Sequence, residues 1–283
     1  MTILLFGASG RLGTAIQRVL PHHQFLTPPG SEIDLTDEMA VEKYIDEHKI
    51  DLVVNCAAYN DTNGAETNTD LANLLNGFAP GYIAKAASKK DIPIVHFSSD
   101  YVFDGKCVEG YAEFDETNPE SAYAKSKELG EAMVFMNNPN HYIVRTSRLY
   151  GLPGTDPKAK KSFAEVVIDL AKEKAAFDIN AAEVSAPTNV DDIARHLEQF
   201  IFTLPEPGIY HIANSGGCTW FEWAIAIKEI LNLSSEITPR APSIIPDLVK
   251  KPAYSILLST KIPAMRPWRK ALEDYLLNQY VRT

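Results

Sequence analysis

Gly7-Ala-Ser-Gly10-Arg-Leu-Gly13 directly follows the apolar run at 3–6 and opens a helical pattern at 12–20. Glycines at such a junction let the turn tighten and let a pyrophosphate approach the backbone. The N-terminus of the helix adds N–H groups and a partial positive charge. The spacing is G-x-x-G-x-x-G and not G-x-G-x-x-G, and the absence of Gly-Lys-Ser/Thr excludes a Walker-type loop. A plain glycine-rich turn is the alternative, but the position between a strand and a helix favours a dinucleotide site.

Strands and helices are expected to alternate along the first half of the chain. Short apolar runs predict strands at 3–6, 24–27, 52–54, 92–97 and 142–144. Helical patterns predict helices at 12–20, 37–48, 69–89 and 122–136, with Thr36 as an N-cap and Pro80 as a kink or restart. The alternation predicts an α/β fold, a Rossmann-type doubly wound parallel sheet covered on both faces.

The regular alternation ends after residue 147, where prolines become frequent. A strand at 208–212 and helices at 220–231 and 268–280 are still expected. We therefore predict a dinucleotide-binding domain at 1–147, to which 188–212 returns. A smaller C-terminal α/β substrate domain would comprise 148–187 and 213–283.

Composition excludes several functional classes. The chain has 283 residues and a formal net charge of −10, and no run of Lys or Arg supplies the basic face of a nucleic-acid binder. Three widely separated cysteines show no zinc spacing, and the scattered histidines suggest no metal constellation. No apolar run reaches the length of a membrane span, and the N-terminus lacks the features of a signal peptide. We expect a cytoplasmic protein without a metal.

Tyr123-Ala-Lys-Ser-Lys127 places a tyrosine and a lysine four residues apart in the helix predicted at 122–136. Their side chains would then lie on one face. An ammonium beside a phenol lowers the pKa of the phenol from about 10, so the tyrosine could exchange a proton with a substrate oxygen. A surface tyrosine packed on a lysine stem is the alternative.

Two further segments follow predicted strands, where folds of this kind place their chemistry. Ser98-Ser-Asp-Tyr-Val-Phe-Asp-Gly105 could provide Ser99 as a hydrogen-bond donor to a substrate carbonyl, or it could be a turn cap. Asn55-Cys-Ala-Ala-Tyr59 has small residues that would let a ribose or nicotinamide approach, although core packing explains them equally well.

The nicotinamide cofactor is not fixed by the sequence. Asp34 lies 21 positions beyond Gly13, near the distance expected of a ribose-binding carboxylate. Pro28-Pro-Gly30 suggests, however, that the second strand ends earlier and that Asp34 lies past the ribose. No carboxylate at 26–27 would repel a 2′-phosphate, and Arg11 could attract one. NADP(H) is favoured, and NAD(H) stays open.

Together these motifs resemble the dTDP-4-dehydrorhamnose reductase family of extended short-chain dehydrogenase/reductases. The segments named above appear in the family's order over nearly the whole chain. The same is true of later segments: Arg145-Thr-Ser147, Leu149-Tyr-Gly151, Ser185-Ala-Pro-Thr188, Asp192-Ile-Ala194, Gly208 to Asn214 with Trp220, Lys251-Pro-Ala-Tyr-Ser255 and Trp268-Arg269.

The resemblance implies an oxidoreductase of nucleotide-sugar metabolism, in dTDP-rhamnose biosynthesis. NAD(P)H would pass hydride to the 4-keto carbon of a nucleotide-linked 6-deoxysugar, Tyr123 would protonate the alkoxide, and Lys127 would tune Tyr123 and hold the nicotinamide ribose. Ser99 stands where the family usually has threonine. Asp100 and Tyr101 would line the sugar pocket.

The resemblance also implies the binding residues. Those expected to contact the cofactor are Gly7, Ser9, Gly10, Arg11, Leu12, Gly13, Asp34, Leu35, Cys56, Ala57, Ala58, Tyr59, Asn76, Ser98 and Lys127. Those expected to contact the nucleotide sugar are Asn60, Thr62, Ser99, Asp100, Tyr101, Phe103, Tyr123 and Arg148.

The chain departs from the family at the sugar-binding positions. The family commonly has Thr-Ala-Val-Asp where this chain has Asn60-Asp-Thr-Asn63, and Arg-Thr-Ser-Trp where it has Arg145-Thr-Ser-Arg148. A guanidinium in place of a flat apolar wall changes shape and charge together. Arg148 could pair with a phosphate or carboxylate, or lie on the surface. Ala15 replaces a glutamate that some members use in a metal-bridged dimer, so neither that metal nor that dimer is implied.

Three functions therefore compete. The first is reduction of dTDP-4-dehydro-L-rhamnose to dTDP-L-rhamnose, and the second is the same chemistry on a different NDP-4-keto-6-deoxysugar. The third is a non-catalytic NADP-binding partner, because the regulatory β subunit of methionine adenosyltransferase shares the scaffold and the Ser-Ser-Asp-Tyr-Val-Phe-Asp-Gly run. A homodimer is a further expectation.

Overall fold

Six strands form one parallel sheet in the computed structural model, which describes residues 1–157, 159–203, 205–240 and 249–280. In spatial order the strands are β10 (Gly208–His211), β5 (His141–Thr146), β4 (Ile94–Ser99), β3 (Leu52–Asn55), β1 (Thr2–Phe6) and β2 (Gln24–Leu26). All their pairings are parallel. The central strands are apolar and almost fully buried, as expected of a sheet covered on both faces. The five strands expected in the first half are confirmed, with ends that differ by at most two residues.

Helices cover both faces of the sheet. The helices are α1 (Arg11–Val19), α2 (Glu38–Glu47), α3 (Thr62–Thr67), α4 (Thr69–Ala72), α5 (Ala79–Ser88), α6 (Ala122–Asn137), α7 (Phe163–Glu173), α8 (Val190–Thr203), α9 (Trp220–Leu231) and α10 (Trp268–Asn278). One apolar core contains residues of α1 and α8, and the core on the opposite face contains residues of α2, α5 and α6. The doubly wound Rossmann-type architecture is therefore confirmed.

Two helix boundaries are instructive. The expected interruption at Pro80 is confirmed: a π-helical segment, Asn73–Phe78, separates α4 from α5, and Pro80 occupies the first turn of α5. A proline fits there because the first-turn N–H groups lack helical partners. The prediction of Thr36 as the N-cap of α2 is wrong. The cap is Asp37, since the hydroxyl of Thr36 donates to Asp34 instead.

The remainder of the chain forms short two-stranded ladders around an aromatic core. The pairs are β6 (Leu149–Tyr150) with β9 (Thr188–Asn189), β7 (Ala176–Asn180) with β13 (Glu236–Arg240), β8 (Val184–Ser185) with β12 (Cys218–Thr219), and β11 (Asn214–Ser215) with β14 (Met265–Pro267). Tyr150, Trp223 and Tyr275 are at most 1% exposed in this core. β10 extends the large sheet, whereas 241–248 and 281–283 of the predicted second domain lie outside the described residues. The division into two domains stays a prediction.

Candidate active site

The glycine turn has a shape that only glycine allows. Gly7 has φ +75°, and a Cβ there would lie 2.6 Å from the backbone nitrogen of Ala57. A Cβ at Gly13 would lie 2.3 Å from the carbonyl oxygen of Gly7. Gly10 caps α1 and has no side chain that could bond to the first-turn N–H groups. These residues fit a dinucleotide pyrophosphate, which helix N-termini bind through such groups.

The segment that follows β6 lies against the outer side of this turn. A Cβ at Gly154 would be 2.4 Å from the carbonyl oxygen of Ser9, and the N–H of Asp156 donates to that same oxygen at 3.1 Å. Arg11 donates to the carbonyl of Gly151 and, at 2.7 Å, to the Glu165 carboxylate. Its guanidinium is thereby engaged within the protein, which opposes the suggested role beside a 2′-phosphate. Leu12 is buried in the core under α1.

Asp34 and Leu35 lie beyond β2, as Pro28-Pro-Gly30 indicated. β2 ends at Leu26, and the exposed carboxylate of Asp34 accepts from the N–H of Thr36 at 2.9 Å and from its hydroxyl at 2.7 Å. Leu35 packs against the core of the α2 face. Contacts of this pair with a cofactor stay a prediction.

Asn76 in the π-helical segment joins the loop after β3 to α6. Its amide oxygen accepts from the N–H of Tyr59 at 2.7 Å, and its amide nitrogen donates to the Tyr59 carbonyl at 3.1 Å and to the Ser126 hydroxyl at 3.0 Å. Asn76 is fully buried, so this side chain holds Cys56, Ala57, Ala58 and Tyr59 against the helix that carries the Tyr/Lys pair. No pattern in the sequence indicates this structural role of Asn76.

Tyr123 and Lys127 both lie on α6, and the ammonium of Lys127 is bonded to a backbone carbonyl. The ammonium of Lys127 donates to the carbonyl of Phe97 at 2.7 Å, and the residue is 2% exposed. Burial lowers the pKa of Lys127 to about 8, against the opposing charge of Glu131. A buried ammonium loses hydration, and the neighbouring carboxylate only partly replaces it.

The expected lowering of the Tyr123 pKa is wrong. Burial raises the pKa of Tyr123 to about 12; a hydrogen bond with Ser99 works against this rise, and the charge of Asp100 adds to it. Burial removes hydration from the phenolate, and the ammonium of Lys127 is bonded to the carbonyl of Phe97. The structure does bring Ser99 and Tyr123 together, and the ring of Tyr101 meets that of Tyr123 edge-on at 5.9 Å.

Asp100 is a buried carboxylate that receives three serine hydroxyls. Ser99 donates to Oδ1 at 3.2 Å, while Ser185 and Ser255 donate to Oδ2 at 2.8 and 2.6 Å. The Ser99 oxygen also accepts from the N–H of Tyr101 at 3.2 Å. Asp100 is 2% exposed, and burial raises its pKa while the serine bonds oppose the rise.

A second buried carboxylate, Glu131, lies one helical turn beyond Lys127. Arg145 of β5 binds it through Nε at 2.9 Å and through one terminal nitrogen at 2.6 Å. Ser98 donates to the same carboxylate at 2.5 Å, so its hydroxyl is directed into this pair. The arginine also lies 5.0 Å from the centre of the Phe103 ring, which is 1% exposed and belongs to the core. Contacts of Ser98 with the cofactor and of Phe103 with the sugar stay predictions.

Arg148 is neither on the surface nor in an ion pair among the described residues. Its terminal nitrogens donate to the carbonyls of Cys218 at 2.8 Å and Glu183 at 3.0 Å, and its guanidinium stacks 4.0 Å from the centre of the Trp220 ring. Trp220 in turn donates to the Glu183 carboxylate at 2.9 Å. With φ at +42°, the backbone of Arg148 is in the left-handed region. Arg148 thus joins the residue before β8 to β12, and the charge of Asp100 acts on its guanidinium.

The loop that departs from the family begins at the exposed Asn60, and Thr62 starts α3. Asp61 of this loop forms an ion pair at 3.2 Å with Lys160, which lies in the segment after β6.

Within the described ranges, no group of three or more His, Cys, Asp or Glu side chains is arranged to hold a metal ion. In that same part of the chain, no helix has the length and apolar character needed to cross a membrane.

Comparison with known proteins gives consistent matches. A family model described as RmlD substrate binding domain matches residues 1–281. The spore coat polysaccharide biosynthesis protein SpsK of Bacillus subtilis is 33% identical over 97% of this chain and 96% of its own. A crystal structure of a dTDP-4-dehydrorhamnose reductase from Clostridium acetobutylicum superposes with a TM-score of 0.92 at 34% identity, covering both chains completely. The dTDP-4-dehydrorhamnose reductase of Bacillus anthracis in complex with NADP has a TM-score of 0.91 at 30% identity, over 100% of this chain and 99% of that one.

Proposed function

The chain belongs to the RmlD substrate-binding domain family, and from this premise we propose that it is an NADPH-dependent oxidoreductase of nucleotide sugars. The proposed reaction reduces the 4-keto group of dTDP-4-dehydro-L-rhamnose to give dTDP-L-rhamnose. The observation that carries the proposal is the contact between Ser99 at the end of β4 and Tyr123 on α6, with Lys127 one turn further on. Full-length similarity to two reductases named for this substrate supports it.

The glycine turn and the loop after β3 would hold the cofactor. Gly7 brings its backbone against Cys56 and Ala57, where the order of strands reverses between β1 and β3. Ligands of open α/β sheets bind at that position. NADPH supplies a hydride when bound there.

Tyr123 would supply the proton. With a pKa of about 12 its phenol is fully protonated at neutral pH, so the acid form is available. As the carbonyl carbon gains hydride, the carbonyl π pair moves to oxygen. The O–H bond of Tyr123 then breaks, and its proton forms the new alcohol. Lys127, still mostly charged at neutral pH, would stabilise the phenolate until solvent returns the proton.

The proposal is tested by turnover with a panel of dTDP-, UDP- and GDP-linked 4-keto-6-deoxysugars, followed by oxidation of NADPH or NADH. We expect dTDP-4-dehydro-L-rhamnose with NADPH to be the best pair. Tyr123→Phe should lose roughly a thousandfold in kcat with unchanged stability, because general acid catalysis contributes about 10²–10⁴-fold. No turnover with any sugar would refute the proposal and favour a regulatory, partner-binding role.

A second candidate keeps the chemistry and changes the sugar, and Arg148 favours it. Its guanidinium lies over Trp220 beside Tyr101, where the resemblance places a tryptophan against the sugar. Arg148→Trp should shift kcat/KM toward dTDP-4-dehydro-L-rhamnose if Arg148 selects another sugar, whereas Arg195→Trp, at a partly exposed position on α8, should not. If wild-type and Arg148→Trp have the same preference for dTDP-4-dehydro-L-rhamnose over the other sugars, measured as kcat/KM, this candidate function is rejected.

The proposal also includes a homodimeric assembly and a cytoplasmic location. The homodimer expected from the sequence is tested by light scattering on the purified protein, and a monomeric mass would reject it. The cytoplasmic location is tested by fractionation of the producing cells.

A further inference from the structure

His96 is a fully buried histidine within β4, at a position where an apolar side chain would fill the core at less cost. Its Nε2 has no hydrogen-bond partner within the described part of the chain, and a Cβ at Gly130 of α6 would lie 3.3 Å from it. A buried ring nitrogen without a partner costs free energy. The other ring nitrogen should therefore contribute something that an apolar residue could not.

That nitrogen, Nδ1, lies 3.2 Å from the side-chain amide nitrogen of Asn55, its neighbour on β3. The backbone fixes the orientation of this amide: its oxygen accepts from the N–H of Ala57 at 3.0 Å, and a backbone N–H can only donate. The amide NH₂ group therefore faces His96, so Nδ1 must accept and the ring proton is on Nε2. Burial and the charge of Lys127 lower the pKa of His96, which keeps the ring neutral.

The Ala57 peptide lies where the glycine turn meets the loop after β3. A Cβ at Gly7 would lie 2.6 Å from the Ala57 nitrogen and 2.6 Å from the carbonyl carbon of Cys56, so the two backbones are in direct contact. The strand order reverses between β1 and β3, and ligands of open α/β sheets bind at that position. A hydrogen bond that fixes the Ala57 peptide therefore fixes one wall of the cofactor cleft.

We propose that His96 is a positioning residue for the cofactor: with its proton on Nε2, its Nδ1 holds the Asn55 amide, which in turn holds the Ala57 peptide against the glycine turn. The proposal rests on the cofactor site of the reductase function proposed above. Because His96 is fully buried, it acts on the cofactor only through Asn55. Its effect passes through two hydrogen bonds and one peptide.

The first test measures the dissociation constant of NADP⁺ by isothermal titration calorimetry. His96→Leu keeps a side chain of similar size and removes the acceptor, and we expect binding about tenfold weaker because the Asn55 amide loses its partner. His96→Asn places an amide oxygen near the position of Nδ1, and we expect affinity within about threefold of wild-type although more of the ring volume is lost. A role in packing alone predicts the reverse order. That order, or unchanged affinity in His96→Leu, would overturn the proposal.

His141→Leu is the matched control. This histidine is also buried, but it lies at the amino end of β5, where its Nδ1 bonds the carbonyl of Asn138. The variant should leave the affinity for NADP⁺ unchanged even if the free energy of unfolding falls. An equal loss of affinity in His141→Leu and His96→Leu would show a general effect of instability and reject the specific role of His96.

The second test needs no cofactor. ¹⁵N NMR of histidine-labelled protein distinguishes the two neutral tautomers, and the His96 signals are assigned by their loss in His96→Asn. We expect wild-type His96 to carry its proton on Nε2 alone at neutral pH. In Asn55→Asp a carboxylate, which can only accept, replaces the amide donor, so Nδ1 should gain a proton. A proton on Nδ1 in wild-type, or none there in Asn55→Asp, would contradict the proposal.

The outcomes separate this proposal from the reductase function. Weaker NADP⁺ binding in His96→Leu, in a protein that turns over no sugar, would keep the role of His96 and reject the reductase. Turnover with NADPH together with unchanged affinity in His96→Leu would do the opposite. A wild-type protein that binds neither NADP⁺ nor NAD⁺ would reject both. Should His96→Leu fail to fold, Asn55→Ala decides in its place, since it removes the acceptor of the Ala57 N–H, and unchanged affinity there overturns the proposal.

Discussion

Glu131 and Asp100 are two buried carboxylates at the same end of the parallel sheet, and they are balanced in different ways. Glu131 is paired with the guanidinium of Arg145 through two bonds. Asp100 receives only hydroxyl protons within the described residues. The charge of Glu131 is therefore balanced by the full positive charge of Arg145. In its hydrogen bonds, the charge of Asp100 is stabilised only by the dipoles of three hydroxyl groups. The charge of Asp100 raises the pKa of Tyr123, whereas the charge of Glu131 raises the pKa of Lys127.

The largest effect should come from breaking the fixed pair. Glu131→Gln keeps the shape of the side chain but leaves Arg145, 3% exposed, with an uncompensated charge. We expect the free energy of unfolding to fall by about 3–5 kcal/mol. Urea denaturation measures it, with Glu128→Gln on the same helix as the control. Equal losses in both variants would show that the pair contributes little.

Replacing both partners should cost much less than breaking the pair. In Glu131→Leu with Arg145→Met neither charge of the pair remains, so we expect a loss below about 2 kcal/mol. The difference between this double variant and the single ones, again from urea denaturation, gives the coupling energy. A double variant as unstable as Glu131→Gln would contradict the account of a fixed pair.

The pH dependence of the free energy of unfolding should show that the pKa of Lys127 is lower in the folded protein than in the unfolded chain. The folded-state pKa of Lys127 is lowered to about 8 from 10.5, so the unfolded chain binds more protons between these values. The free energy of unfolding of wild-type should therefore rise relative to Lys127→Met from pH 8 to pH 10, by on the order of 1–2 kcal/mol. Lys125→Met, exposed on the same helix, should show no such trend. A parallel course of wild-type and Lys127→Met would contradict the lowered pKa.

The smallest effects should come from single serines around Asp100. Ser185→Ala removes one of three donors, and we expect a loss of about 1–2 kcal/mol, measured by urea denaturation. Ser259→Ala, whose hydroxyl donates to a backbone carbonyl, is the control, with a loss of about 1 kcal/mol or less. A loss as large as that of Glu131→Gln would mean that Asp100 is held as rigidly as the ion pair.

The sequence predicted the parts of the molecule that depend on neighbours along the chain. The glycine turn, the sheet strands and the helical spacing of Tyr123 and Lys127 all follow from short patterns. The donors to Asp100 do not, because Ser185 and Ser255 lie 85 and 155 positions away. The direction of Lys127 depends on the carbonyl of Phe97, which helical spacing cannot show. Glu131 could have been suspected, since it continues the Tyr123 and Lys127 face by one more turn.

The long-range contacts of Arg11 in the glycine turn have a consequence for the order in which the structure forms during synthesis. Arg11 bonds Gly151, which lies 140 residues further along the chain, and Glu165, which is 154 residues away. Contacts of such high sequence separation form late, because closing the loop costs entropy before the contact forms. A nascent chain that has emerged only as far as β5 has five of the six sheet strands but not the outer support of the turn. The glycine turn thus acquires these supporting contacts only after more than half of the chain has been synthesised.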